Sequence, residues 1–242
     1  MKLPKWIVTD LDGTLLLDDS TIAQRSLDAI NKIRALGVKF GIATTRSKSF
    51  AQQYIDILKP DAMALSGGAV GYMEDKLVYK KSLTKDQIEP FFKEFETNLP
   101  LKKVVINTLD HRYESIQEVR SLSSYEILSI FIWTDEKSDL SLLENSTKEI
   151  SFSKLWRPLM FRISNVMGTK HNALQYLLKD IDPKEVVTFG DDPMDVGMLS
   201  HFNGVAVANA FDEVKAATNN ITLSNEDQGV ANWLEKLISQ NS

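Results

Sequence analysis

Two carboxylates, Asp10 and Asp12, close the apolar run that opens the segment Ile7 to Leu16, IVTDLDGTLL, and Gly13 follows them at once. Side chains of an extended chain repeat direction every second residue, so the two acids leave the strand facing one way. Like charges held this close repel and lose hydration, a cost that a bound cation or a perturbed pKa relieves. The chemistry this suggests is a metal site. Other groups are spaced to join it. Thr44, Thr45 and Arg46 end a second apolar run, Val38 to Ala43, and Asp191 lies just past a third, Glu185 to Phe189. Lys170 falls in the first turn of an apolar helix, where a cation opposes the helix dipole unless an anion sits nearby. Asp192, Pro193 and Asp195 have ordinary uses at a helix start, as N-cap, first residue and first-turn acid. Asp191 has no such local use.

The elements that must position these groups alternate. After the first strand, Thr21-Ile22-Ala23-Gln24 fits a capping box, and Leu27, Ile30 and Ile33 recur at helical spacing up to Gly37. A second strand over 38–43 leads to a helix with Phe50, Tyr54 and Leu58 along one face. This β-α-β-α order predicts a parallel sheet whose ligands gather beyond the carboxyl ends of its strands. Met63 to Ser66 reads as a further strand, and GAVGYM and KLVYKKSL as a hairpin around Glu74-Asp75. The texture then changes. A helix over 84–95, with Pro90 interrupting it or marking a later start, is followed by the strand-like KVVINTL and EILSIFIW, a helix over 137–148, and extended segments near 151–155 and 159–164. Such a mixture suggests an inserted α+β domain. The alternating pattern resumes near Met167 and runs through the strands VVTF, GVAVANA and NITL to a closing helix, SNEDQGVANWLEKL. Asn209 and Asn225 read locally as helix caps.

At 242 residues, 43% hydrophobic and 25% charged, the chain has enough apolar sequence for a sizeable core. It has no cysteine, which excludes disulfides, thiolate metal sites and cysteine nucleophiles together. A net charge of -5 argues against a broad nucleic-acid surface and leaves room for a local cationic pocket. No run approaches the roughly 18 apolar residues that span a bilayer, and Lys2 and Lys5 precede only a brief apolar run, so the expectation is a cytoplasmic protein with no membrane partner.

DLDGT at this position resembles motif I of the haloacid dehalogenase superfamily of phosphohydrolases. GIATTRS resembles motif II of its Cof-type branch, usually Ala-Thr-Gly-Arg, with Thr45 in the place of glycine. Lys170 before its apolar helix matches motif III. GDDPMDVGML resembles motif IV, Gly-Asp-x-x-Asn-Asp, with Met194 in the place of asparagine, and the stretch from VANAFDEV to GVANWL is similar to the family's C-terminal run. Four ordered motifs at the ends of four strands are more specific than any one alone. The resemblance implies an α/β fold, a Rossmann-like (HAD) doubly wound parallel sheet formed by residues 1–82 and 167–242. It also implies that the insert at 83–166 is a smaller α+β cap domain of the C2 type, short for the class IIB branch.

The resemblance also implies Mg2+-dependent hydrolysis of a small-molecule phosphate monoester, a sugar phosphate or similar metabolite. In that reading Asp10 attacks phosphorus to give an aspartyl-phosphate, while Asp12 protonates the leaving oxygen and then acts as base toward water. Asp10, Asp12 through its backbone carbonyl, and Asp191 would hold the metal, supported by Asp195. Thr44 and Lys170 would hold the phosphoryl oxygens, with Thr45, Arg46 and Asn209 as further phosphate or substrate contacts. In the cap, His111, Arg112, Tyr113, Trp156 and Arg157 could face a pocket, against the commoner use of such side chains in coating a domain. Two alternatives stay open: a phosphomutase of the same superfamily, and a non-catalytic sugar-phosphate sensor, against which the paired nucleophile and acid speak.

Overall fold

The computed structural model describes residues 2–99, 101–135, 148–155 and 159–241. The chain begins with β1 (Trp6–Thr9), passes a tight turn at Leu11–Leu15, and continues through α1 (Gln24–Ala35), β2 (Lys39–Ala43), α2 (Lys48–Leu58), β3 (Ala62–Leu65), β4 (Val70–Met73) and β5 (Lys76–Lys80). Next come α3 (Lys85–Thr97), β6 (Lys103–Asn107), β7 (Arg112–Tyr113), α4 (Ile116–Arg120), β8 (Ser129–Trp133), β9 (Ile150–Lys154) and β10 (Met160–Asn165). The last stretch holds α5 (Lys170–Leu177), β11 (Val186–Gly190), one helical turn at Pro193–Asp195, α6 (Val196–His201), β12 (Asn203–Ala206), α7 (Asp212–Ala216), β13 (Asn220–Ile221) and α8 (Gly229–Ser239). Two compact units result, Met1–Tyr79 with Thr169–Ser242, and Lys80–Gly168.

The first unit carries a sheet in the order β13-β12-β11-β1-β2-β3-β4-β5. Every pair from β13 to β3 is parallel, and β4 turns back antiparallel on β3. β1 is buried at all four positions, as a central parallel strand must be, and its alternate residues feed two different cores. Trp6 and Val8 pack with Ala173, Leu174 and Leu177 of α5 and with Met198 and Leu199 of α6. On the other face α1 and α8 lie together, tied at the surface by Arg25 and Glu235, and the edge-on contact of Phe189 with Trp233 packs α8 on β11. Helices thus cover both faces. Each fully buried aliphatic side chain stabilises this arrangement by about 1.5–3 kcal/mol. From β1 the order runs through β2 and β3 on one side and through β11 and β12 on the other, so the switch point falls between β1 and β11. A crevice is expected beyond their carboxyl ends.

The second unit is an antiparallel sheet, β7-β6-β8-β10-β9, with α3 and α4 packed on one face around Phe91, Phe92, Phe95, Ile106, Val119, Ile130 and Ile163. In this unit His111 lies edge-on to Tyr113 and Arg112 pairs with Glu114. Trp156 and Arg157, and most of the helix expected over 137–148, lie outside the described residues. Among the described residues no helix is long and apolar enough to cross a membrane.

Several local expectations are corrected. α1 starts on Ala23, not on a Thr21 capping box, because the Thr21 N–H and hydroxyl both donate to Asp19 in the preceding loop. The capping box occurs instead at Thr84 and Gln87, and α3 runs through Pro90 to Thr97. Pro90 lies within two turns of the helix start, and its missing N–H costs less than the burial of Ile88, Phe91, Phe92 and Phe95 returns. The buried stripe of α2 is Ala51, Tyr54 and Leu58, whereas Phe50 is largely exposed. The closing helix begins at Gly229, since Asn225 is taken up in contacts with the first turn of the chain.

Candidate active site

Parallel register does the first part of the assembly. Thr9 pairs with Phe189 on one side and with Ile42 on the other, so the residues following these strands emerge at one level. The Asp10 N–H donates to the Phe189 carbonyl at 3.0 Å, which carries the strand pairing one residue past β1. Asp10, Asp191 and Asp195 then converge. One carboxylate oxygen from each lies within 4.8 Å of the others.

Lys170 closes the cluster. Its ammonium, 1% exposed, lies 3.0 Å from Asp10 Oδ1 and 2.6 Å from Asp195 Oδ1. The lysine is first in α5, whose N-terminus is capped by the Thr169 hydroxyl accepting the Asn172 N–H. The anions missing from the local reading of Lys170 are therefore two buried aspartates. Gly68 makes the placement possible, since at φ 90° a Cβ there would overlap the Thr169 carbonyl and hold α5 away.

Asp191 is held from the first turn. The Thr14 hydroxyl donates to Asp191 Oδ1 at 2.5 Å, and Gly13, at φ 73°, leaves space in which a Cβ would lie only 2.9 Å from the Asp191 Cγ. Gly13 is thus required both by its backbone and by the acid packed on it. Asp195, fully buried, accepts the N–H groups of Asp191 and Asp192 through Oδ2 and Lys170 through Oδ1. Asp192 caps the Pro193–Asp195 turn by accepting the Met194 N–H. These bonds hold the motif IV acids without an amide at position 194.

Asp12 points elsewhere. Its carboxylate is exposed and gripped by Arg46, Nε to Oδ2 at 2.8 Å and Nη2 to Oδ1 at 2.6 Å. The turn at Asp12 and Gly13 abolishes the shared direction that strand geometry gives two acids at this spacing. Thr44 is buried, its hydroxyl accepting the Arg46 N–H at 3.2 Å and its carbonyl accepting the Gly67 N–H at 2.9 Å. Thr45 needs no glycine conformation, because its φ is not positive. Asn209 is not a helix cap; it spans the Gly13 carbonyl, to which it donates at 2.8 Å, and the Asn225 N–H. Asn225 in turn donates to the Leu16 carbonyl and to Asp18, so the C-terminal segment clamps the first turn. Gly68 has no reading in the sequence as part of this site, and Thr14 and Asn225 fall inside the quoted motif I and C-terminal run without a role of their own there.

Burial dominates the electrostatics. It drives the Asp10 carboxyl well above the ordinary range; Lys170 opposes the shift, and Asp195 and Asp191 add to it. Burial likewise lifts Asp191 to about 7, against the Thr14 hydrogen bond and with the help of Asp195. For Lys170 burial acts downward, but the charges of Asp10 and Asp195 outweigh it and hold the ammonium above its usual value. With all three ionised, the carboxylates facing one ammonium would leave a deficit of two positive charges, which one divalent cation would balance. All donors are hard oxygens, the set Mg2+ prefers. Asp10 and Asp191 retain lone pairs for it, whereas both oxygens of Asp195 are already engaged.

Comparison with known proteins bears on this arrangement. The sequence profile of the haloacid dehalogenase-like hydrolases matches residues 7–234. The 5-amino-6-(5-phospho-D-ribitylamino)uracil phosphatase YitU of Bacillus subtilis is 26% identical, with 98% of each chain covered. Among solved structures, a haloalkanoate-superfamily phosphatase from Bacteroides thetaiotaomicron superposes with a TM-score of 0.84 at 21% identity, covering 97% of this chain and 95% of that one. A HAD subclass IIB sugar phosphatase superposes with a TM-score of 0.81 at 19% identity, covering 96% and 98%. With an apolar strand delivering Asp10 to a buried lysine at the switch point of a doubly wound sheet, and a profile match over nearly its whole length, the chain belongs to the haloacid dehalogenase-like hydrolases, as a phosphatase of the Cof-type branch.

Proposed function

We propose that this phosphatase is a cytoplasmic, Mg2+-dependent enzyme that hydrolyses a small phosphorylated metabolite, a sugar phosphate or a related polyol phosphate, through an aspartyl-phosphate on Asp10. The observation that carries the reading is the buried ion pair between Asp10 and Lys170 beside Asp191. A phosphate monoester dianion repels nucleophiles, so its catalyst must neutralise the phosphoryl oxygens, hold an attacking atom in line and protonate the leaving oxygen. Asp10 supplies the attacking oxygen. Lys170 and Thr44 bind the phosphoryl oxygens, with Thr45 beside them. Asp12, whose carboxylate is turned toward Arg46, is assigned the proton transfers, to the leaving oxygen in the first half-reaction and from water in the second, and must turn back toward Asp10 to make them.

Asp10 and Asp191, with the backbone carbonyl of Asp12, would hold Mg2+, and Asp195 keeps Lys170 and the Asp191 backbone in place. Bound there, Mg2+ supplies positive charge that favours the ionised form of Asp10 and offsets charge on the phosphoryl group. Residues 83–166, within the compact unit Lys80–Gly168, form the cap in this reading. The substrate class rests on relatives: YitU is named for a ribityl phosphate and the subclass IIB neighbour for sugar phosphates.

The test is turnover of an aryl phosphate and of a panel of sugar and polyol phosphates, with and without chelator. Wild-type protein is expected to release inorganic phosphate only with Mg2+, and Asp10→Asn, although folded, to lose at least about a thousandfold in rate. Retention of most of the activity by Asp10→Asn would remove it as nucleophile. Isomerised sugar phosphate in place of free phosphate would point to a mutase.

A further inference from the structure

Asp191 is held at two points, and the two holds are joined. Its backbone carbonyl accepts the Phe211 N–H at 3.1 Å, and its carboxylate accepts the Thr14 hydroxyl at 2.5 Å. Thr14 follows Gly13 in the chain, so the Gly13 carbonyl and the Thr14 N–H belong to one rigid peptide plane. That carbonyl accepts the side-chain amide of Asn209 at 2.8 Å. Asn209 stands two residues before Phe211, so the contacts close a ring that runs from the Asp191 carboxylate through Thr14, the Gly13 peptide, Asn209 and Phe211 to the Asp191 backbone. All of these residues lie in one compact unit. The ring has a loose joint at Gly13, at φ 73° and ψ -3°, where no Cβ limits rotation and local sterics do not decide which way the next peptide faces. It also has a brace. The Val207 N–H donates to the Gly190 carbonyl at 3.3 Å, and Ala210 is buried with its N–H donating to the Val207 carbonyl at 3.0 Å.

The other end of the Asn209 side chain accepts the Asn225 N–H at 2.9 Å, and the Asn225 amide, 5% exposed as a residue, reaches on to the Leu16 carbonyl at 3.1 Å. The side chain at position 209 must therefore donate at one end and accept at the other. An amide does both, whereas a carboxylate only accepts. Resting on the reading above of Asp191 as a holder of Mg2+, we propose that Asn209 is a positioning residue for that metal and is not a substrate contact. By closing the ring it sets the Gly13 peptide, with it the Thr14 hydroxyl, and through that hydroxyl the direction of the Asp191 carboxylate. Partners of this kind orient a ligand before the ion arrives, so opening the ring costs affinity for the ion and spares the steps that follow its binding.

Isothermal titration of MgCl2 into chelator-stripped protein reads the affinity directly, without turnover. Asn209→Asp, which keeps the bond from Asn225 and loses the bond to Gly13, should bind Mg2+ about 10–100-fold more weakly. Thr14→Val opens the ring at another link and should also weaken binding. The double variant should bind no more than about twofold more weakly than the weaker single variant, the mark of two residues acting through one network. Thr222→Val removes a hydrogen bond of 2.7 Å to the Gly229 carbonyl in the same C-terminal segment, outside the ring, and should bind Mg2+ as wild type does; melting curves establish that every variant folds. With p-nitrophenyl phosphate at saturating Mg2+, Asn209→Asp should regain kcat to within about threefold, with KM unchanged. Affinity for Mg2+ within about twofold of wild type in Asn209→Asp overturns the Asn209 assignment, and so do additive losses in the double variant or an equal loss in Thr222→Val. A raised KM at saturating Mg2+, as for a substrate contact, overturns it as well. Wild-type protein that binds no Mg2+, or binds it no better than Asp191→Asn, overturns the metal reading on which the assignment rests.

Discussion

Replacing Lys170 by methionine removes an ammonium and keeps most of the stem that fills its site. The ammonium is 1% exposed and lies 3.0 Å from Asp10 and 2.6 Å from Asp195. At an effective dielectric constant near 20, each contact is worth about 5–6 kcal/mol of attraction, most of which offsets the desolvation of the lysine. What the variant keeps is the expensive part, buried carboxylates without their partner. Removing one member of a buried pair destabilises by about 3–5 kcal/mol. For a protein of this size each kcal/mol lowers Tm by about 2–4 °C, so a drop of about 6–20 °C is expected at pH 8. The pH dependence has a definite sign. Asp10 and Asp191 are already held above the ordinary carboxylate range by burial, and without the ammonium they rise further. The folded variant then binds more protons than its unfolded chain, so acid stabilises it and its deficit narrows toward pH 5. Calorimetry of chelated wild type and Lys170→Met at pH 5, 6.5 and 8 measures this directly. A deficit below about 1 kcal/mol at pH 8, or one that widens toward pH 5, would refute the reasoning.

The wild-type protein should show the same sign more weakly. With Asp10 raised and Asp191 lifted to about 7, the chelated protein gains stability as pH falls from about 7.5 to 5; Mg2+ should raise Tm more at pH 8 than at pH 5.5, and a metal effect larger at the acid end would contradict this. Gly13→Ala should cost about 2–4 kcal/mol in denaturant melts, combining the left-handed backbone with overpacking against Asp191. It should also raise the Mg2+ concentration needed for half-maximal activity, and an alanine variant as stable as wild type would show that the turn relaxes freely.

The order of the elements was legible because it depends on local patterns. The apolar runs that became β1, β2, β3 and β11 lie between helices with helical apolar spacing, and a doubly wound sheet follows from that alternation. The chemistry-bearing residues were legible because each strand terminates in one of them, Asp10, Thr44 and Asp191, and the carboxyl edge of such a sheet is where ligands bind. Less legible were the choices among competing hydrogen bonds. Thr21 and Asn225 carry the right side chains for caps and are drawn into loop contacts instead, and Pro90 carries a breaker signal that the aromatic stripe of α3 overrides.

By itself the sequence determined which groups are available: two acids at the end of one strand, further acids after another, a lysine opening a helix and no thiol anywhere. Which of them meet was decided by the tertiary structure. Parallel register between β1 and β11 sets Asp10 beside Asp191, residues 181 positions apart in the chain, while the backbone turn at Gly13 swings Asp12, only two residues from Asp10, away to Arg46. Spacing along a strand fixes direction only while the strand lasts, whereas strand pairing and helix packing fix distance between residues remote in sequence. For that reason the partner of Lys170 could be inferred only as an anion, and its identity as a pair of buried aspartates came from the fold.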